Sequence, residues 1–214
     1  MQCSGLQVGA FLILLAGTIL IAISIGTSSW SKRTLVSTGR IPLIEAGGDV
    51  VLERGLWNEC QRIIGHTDSE TKTLHETCVN RYQDVLEKAR NAQIGEDFKN
   101  LFKNLQAWEV AVLALVCGSG LLGILSLLFS PCCCNRCGCC LAAFVFFAAA
   151  LCAAGVCVYA YYATTDKTEQ IFDLKMKEFG WSFWCAVAGG ACQLFSGILF
   201  SVSRCRQHSY SHTI

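Results

Sequence analysis

Arg54-Gly55-Leu56-Trp57-Asn58-Glu59-Cys60, with Cys78 following after seventeen intervening residues, is the stretch whose reading decides the fold. It lies in a polar segment of 77 residues, 30–106, bounded on both sides by long apolar runs. The segment holds 11 basic and 11 acidic residues, so its net charge is zero. A charge-balanced polar island between such runs reads as a small folded unit displayed on one side of a membrane.

The whole chain supports that reading. Its 214 residues are 53% apolar and 15% charged, with a mean hydropathy of +0.44, too apolar for an ordinary soluble domain of this length. A formal net charge of +1 creates no field that would gather nucleic acid or an acidic polymer. The first apolar run, 6–29, carries no charged residue and is long enough to span. With no Lys or Arg ahead of it, it reads as an uncleaved span, not a signal peptide. Gly5 with Gly9, and Ala22 with Gly26, are spaced to let another helix approach closely. Further runs at 107–130, 141–164 and 179–202 give four spans. The second contains Glu109 near its start; the fourth opens with Trp181, Phe183 and Trp184, as an interfacial aromatic belt does. No linker or internal repeat divides the chain, which reads as one domain.

Within 30–106 the residues after Trp30 are extended in character. Gly47-Gly48-Asp49 marks a turn, and the following strand sets Val51, Glu53 and Gly55 on one face against Val50, Leu52, Arg54 and Leu56 on the other. Past Cys78 the period becomes helical, first through Tyr82, Val85, Leu86 and Ala89, then through Phe98, Leu101, Phe102 and Leu105. The second polar segment, 165–178, reads as a loop.

Four spans place both termini and the turn 131–140 on one side, and the two polar segments on the other. The termini side, including the tail 203–214, carries Arg136, Arg204 and Arg206 and no acidic residue, which predicts a cytoplasmic location. Cys60 and Cys78 are the two cysteines of the large polar segment; on an oxidising side they can close a loop, and two free thiols are the alternative. Cys132, Cys133, Cys134, Cys137, Cys139 and Cys140, together with Cys205 beside its two arginines, read as S-palmitoylation sites at the membrane surface. The C-x-x-C spacings among them also allow a soft-metal site, which a nine-residue turn pinned by two helices folds with difficulty.

Trp30 after the first span, then Gly55-Leu56-Trp57, Cys60 and Cys78 in the first loop, followed by three more spans, resemble the claudin superfamily. Leu105-Gln106-Ala107 and Glu178-Phe179-Gly180 are also similar to claudin segments. The superfamily includes the peripheral myelin and epithelial membrane proteins and the calcium-channel gamma subunits. The resemblance implies an all-α membrane protein, a left-handed four-helix bundle with a small extracellular β-sheet and Cys60 bridged to Cys78. Trp57 is then expected to bury its ring where sheet and bundle meet, with Gly55 permitting close approach. Three departures stand out. The stretch between the two cysteines is long, which predicts an enlarged tip. A basic residue is common in claudins where this chain has Trp108 and Glu109. The terminal Ser211-His212-Thr213-Ile214 is not a standard PDZ-binding sequence.

No catalytic constellation emerges. His66 and His75 lie beside Asp68, Glu70 and Glu76, and a solvated charged loop explains them. The resemblance implies a non-enzymatic plasma-membrane protein of cell–cell junctions, without cofactor or small-molecule substrate. Such a protein contributes adhesion and a paracellular barrier or ion pore through same-family partners in cis and trans. Glu53, Arg54, Glu59 and Arg62 are the candidate pore-lining charges, and Ile63, Ile64 and Phe172 the candidate apolar contacts, with membrane lipid the other expected neighbour. An auxiliary subunit of an ion channel or receptor is the alternative from a different class, and a myelin-type membrane organiser is a third.

Overall fold

The computed structural model describes residues 5–35, 48–67, 70–80, 107–130, 138–165 and 175–211. Four helices, α1 (Gly5–Gly26), α2 (Ala107–Phe129), α3 (Gly138–Thr165) and α4 (Trp181–Ser211), are long and apolar enough to cross a bilayer. Five strands stand between them: β1 (Ser31–Leu35), β2 (Gly48–Arg54), β3 (Asn58–Thr67), β4 (Glu70–Asn80) and β5 (Lys175–Phe179). They form one antiparallel sheet in the order β4-β3-β2-β1-β5. The helical readings over 82–89 and 98–105 lie outside the described residues.

Several boundaries differ from those hydropathy suggests. α1 stops at Gly26, leaving Thr27, Ser28 and Ser29 as a non-helical lead into β1. The segment 165–178 is more than a loop: its end, with Phe179, is strand β5, and α4 begins only at Trp181. Lys175-Met176-Lys177-Glu178 looks solvated in sequence, but β1 offers it an open edge whose hydrogen bonds join backbone to backbone and so are open to a segment of any side chains. At the other end α4 runs on to Ser211 through residues read as a tail. Cys139 and Cys140 belong to α3, not to the turn.

The described residues fall into two compact units. The first takes the greater part of the four helices, within 1–24, 111–157 and 185–214. There α1 and α4 meet backbone to backbone: a Cβ on Gly17 would lie 2.9 Å from the Gly189 carbonyl oxygen, and one on Gly189 would lie 2.9 Å from that of Gly17. Helices without side chains at such a point gain dispersion contact along their axes. The predicted close-approach glycines are different ones; Gly5, Gly9 and Gly26 have nothing within 4 Å of a Cβ position. Ala10 and Leu14 of α1 pack with Leu141, Ala142 and Val145 of α3 and Phe200 of α4 in a buried cluster. Two buried hydroxyls of this unit are paired across helices. The Ser119 hydroxyl donates to Gln193 Oε1 at 3.0 Å, and the Ser196 hydroxyl donates to the Ala10 carbonyl at 2.8 Å. Each replaces hydration that a bilayer core does not supply.

The second unit, within 25–110 and 158–184, holds the sheet and the helix ends nearest to it in sequence. Its centre is Trp30, which is fully buried. The backbone of Trp30 joins two strands: its amide donates to Arg54 O at 3.0 Å and its carbonyl accepts from Gly180 N at 2.9 Å. Its ring makes edge contacts with Tyr159 of α3 at 4.9 Å and Phe183 of α4 at 5.9 Å between centroids. Trp57 is only half-buried, contrary to the expectation that it carries the buried ring; Leu56 beside it is buried instead. The reason is local geometry, since Leu56 and Trp57 form the tight turn between β2 and β3, where neighbouring side chains diverge.

Candidate functional site

The signature stretch is the corner between β2 and β3, closed by a hydrogen bond from Gly55 N to Asn58 O at 2.8 Å. Gly55 is required there by space. A Cβ would lie 2.5 Å from Ser28 Cα and 2.7 Å from Thr27 O, so the corner lies directly against the α1–β1 lead. Gly180 plays the same part at the β5–α4 corner, where a Cβ would collide with the Ser29 carbonyl.

From this corner β3 and β4 run out as a long hairpin of 10 and 11 residues. The extra length between Cys60 and Cys78 is therefore strand, where an enlarged tip was expected. Cys60 and Cys78 face each other in register and are joined by a disulfide, with Cα atoms 4.1 Å apart. Closing a loop of this size stabilises the fold by about 3 kcal/mol in the chain-entropy model. Cys60 is buried and Cys78 exposed. Glu76 approaches both sulfurs closely enough to suggest a metal-ligand group, but the disulfide leaves no thiolate to bind an ion.

One face of the sheet carries a row of charges. Alternation along β2 holds as read, with Val51 and Glu53 buried. The Glu53 carboxylate accepts from the Ser29 hydroxyl at 2.9 Å and from Arg62 Nη1 at 3.3 Å, and Arg62 Nε donates to Glu76 Oε1 at 2.9 Å. Glu76, then the neighbouring Glu53 charge, hold the Arg62 guanidinium above its ordinary pKa against the opposing effect of partial burial. In register, Lys32 stands between Glu53 and Glu178, so charge alternates in sign from β5 to β4. Arg54 belongs to the opposite face and pairs with Glu109 in the first turn of α2. Glu59 stands opposite Arg54 on β3, half-buried.

Of the predicted site residues, the sheet thus brings together Glu53 and Arg62, and sends Arg54 and Glu59 to the other face. Ile63 and Ile64 are half-buried, on opposite faces of β3. Phe172, Cys132, Cys133, Cys134 and Cys137 lie outside the described residues, as do the side chains of Cys139 and Cys205; Cys140 is exposed. His75 is exposed, with Nε2 2.9 Å from the Thr77 hydroxyl, and it forms no acid–base pair with Glu76, which is held by Arg62. Two functional contacts were missed in sequence. The Glu109 pairing joins residues 55 apart, which no local pattern reveals. In sequence Glu76 is one more charge of a solvated loop, and only the hairpin register places it beside Arg62.

β4 forms one edge of the sheet, and residues 75–80 are exposed on both of its faces, Val79 most conspicuously. Among the described residues it pairs with β3 alone.

These elements define a multi-pass membrane protein with four apolar helices and a small antiparallel sheet stapled by one disulfide. Residues 15–202 match the family described as PMP-22/EMP/MP20/Claudin tight junction, and the chain belongs to that family. No individual curated protein matches it.

Proposed function

We propose that this protein is a non-enzymatic, claudin-like component of cell–cell contacts in the plasma membrane, contributing adhesion and a paracellular barrier or ion pore. The observation that carries the reading is the β4 edge: a long strand, exposed on both faces over residues 75–80, fixed to the sheet by a disulfide and, among the described residues, paired with a neighbouring strand on one side alone. Such an edge associates by strand addition. Same-family chains are the partners in cis and trans, with membrane lipid around the spans. The sheet lies outside the cell and both termini inside, supported by Arg136, Arg204 and Arg206 on the termini side and by the disulfide on the other. Arg62 and Glu76, the more exposed members of the row that buried Glu53 anchors, face the space between cells and act on ions of either sign according to their balance.

The test is expression in non-adherent cells that lack junctions. Enrichment where two expressing cells touch, with intramembrane strands by freeze-fracture, is the expected result. Uniform surface staining together with co-purification of a channel or receptor supports the auxiliary-subunit reading instead. The juxtamembrane cysteines anchor the termini side by acylation; hydroxylamine-sensitive acyl exchange that survives Ser substitution of Cys132, Cys133, Cys134, Cys137, Cys139, Cys140 and Cys205 would count against this.

A further inference from the structure

α3 and α4 run antiparallel within the first unit and touch at successive levels. Leu141, Ala142 and Val145 share a cluster with Phe200, the Phe146 ring lies 3.1 Å from where a Cβ on Gly197 would be, and Cys152 Sγ donates to the Ala186 carbonyl at 3.3 Å. On their outer side the same helices leave a groove of about 290 Å³. Phe146, Ala150 and Ala153 line it from α3, and Val187, Ala191 and Leu194 from α4. Ala150, Ala153, Ala191 and Leu194 are exposed, so in a bilayer the groove opens sideways onto lipid chains. Its length along α3, from Phe146 to Val156, is about 15 Å at the helical rise, half of a ~30 Å hydrocarbon core.

Helix register brings one cysteine from each helix to the same end of this groove. Cys139, in the first turn of α3, precedes Phe146 by seven residues and Ala150 by eleven, intervals that return to one helix face. Cys205, in the last turns of α4, follows Leu194 by eleven residues and Val187 by eighteen, again on one face. Since Phe146 stands level with Gly197, seven residues back along α3 and eight forward along α4 reach Cys139 and Cys205 at the same depth. Cys140 differs, because its face continues through the exposed Phe144 and Phe147 into open bilayer. We propose that the α3–α4 groove is the seat of one thioester-linked fatty acyl chain, carried by Cys139 or Cys205. The seat rests on the S-acylation proposed for the juxtamembrane cysteines and gives that chain a protein-lined course. The thiol takes the acyl group from a fatty acyl thioester and releases the carrier's thiol. A chain tethered at the mouth enters at high effective concentration, whereas a free phospholipid must bring a headgroup and a second chain with it. Once seated, it restores the dispersion contacts that the groove walls lack and fixes α3 to α4 along one leaflet.

The test feeds cells expressing the full chain a palmitate analogue with a photoactivatable diazirine near its end, crosslinks by light, and maps the modified residues by mass spectrometry. Adducts within 149–156 and 186–194 are expected. They should be lost in the Cys139→Ser/Cys205→Ser double variant and kept when Cys132, Cys133, Cys134, Cys137 and Cys140 are changed to Ser. Ala153→Phe, at an exposed position of the lining, should fill the groove and move the adducts to the face of Phe144 and Phe147. The analogue also enters phospholipid, so groove adducts that survive in the double variant assign the groove to free lipid and overturn the seat. Adducts confined to the Phe144 and Phe147 face in the wild type, or a groove left unmodified because a second copy's helix covers it, overturn the seat while leaving acylation standing. A chain that carries no hydroxylamine-sensitive analogue at all overturns both.

Discussion

Trp30 and Trp57 both belong to the signature, yet only Trp30 is closed off from solvent, and its ring touches α3 and α4 while its backbone bridges β2 and β5. Trp30→Ala should therefore lower stability by about 3–5 kcal/mol and hold the protein inside the cell. Trp57→Ala removes a half-buried ring and should cost about half as much, with delivery to the surface largely kept. Thermal unfolding in detergent alongside surface biotinylation ranks the two; equal losses would mean that the signature acts as one block. Sequence alone cannot make this distinction. Both residues are tryptophans in a signature, and which one is enclosed depends on β5 joining the sheet beside β1, through a strand whose own residues are mostly charged. Gly55 was legible for the opposite reason, because a glycine beside buried apolar residues signals a close approach whatever the partner. The partner itself, the carbonyl of Thr27, had no signal.

The hairpin β3–β4 separates support from display. Near its base the disulfide fixes β4 to β3 in register, and beyond it the strands continue to Thr67 and Glu70. Replacing Cys60 and Cys78 together by Ser should cost about 3 kcal/mol and loosen β4 first, read as faster amide exchange in β4 than in β2. Exchanging residues 65–74 for an unrelated hairpin of equal length should leave folding and delivery intact and change only enrichment at contacts. Loss of surface delivery in that variant would show the outer hairpin to be part of the scaffold. The two cysteines were readable as a pair because no other cysteine shares their polar segment. That the residues between them are strand was not readable: Gln61 to Thr77 mixes charges, a Gly and two of the four histidines without clean alternation, and the strands form because each supplies the other's hydrogen bonds.

Across the whole molecule, the four spans were the most legible feature, since an uncharged run of over twenty residues has no competing interpretation in water. How the spans meet was hidden, because an apolar helix shows no polar stripe to mark its inner face. The decisive point is Gly17 against Gly189, where Gly189→Leu would drive a side chain into Ile21 and the α1 backbone. This substitution should cost at least about 1–3 kcal/mol, measured by unfolding in detergent, with Gly5→Leu as a silent control. The same contact has a consequence for biosynthesis. α1 leaves the ribosome well before α4, and Ser196 cannot reach the Ala10 carbonyl until 186 further residues have been made. Until then α1 waits in the bilayer with its bare backbone groove open to lipid and to any other passing helix. A chain released before α4 exists is an orphan that quality control can recognise by that groove, so chains truncated ahead of residue 181 should be degraded even when the disulfide-bearing loop has formed.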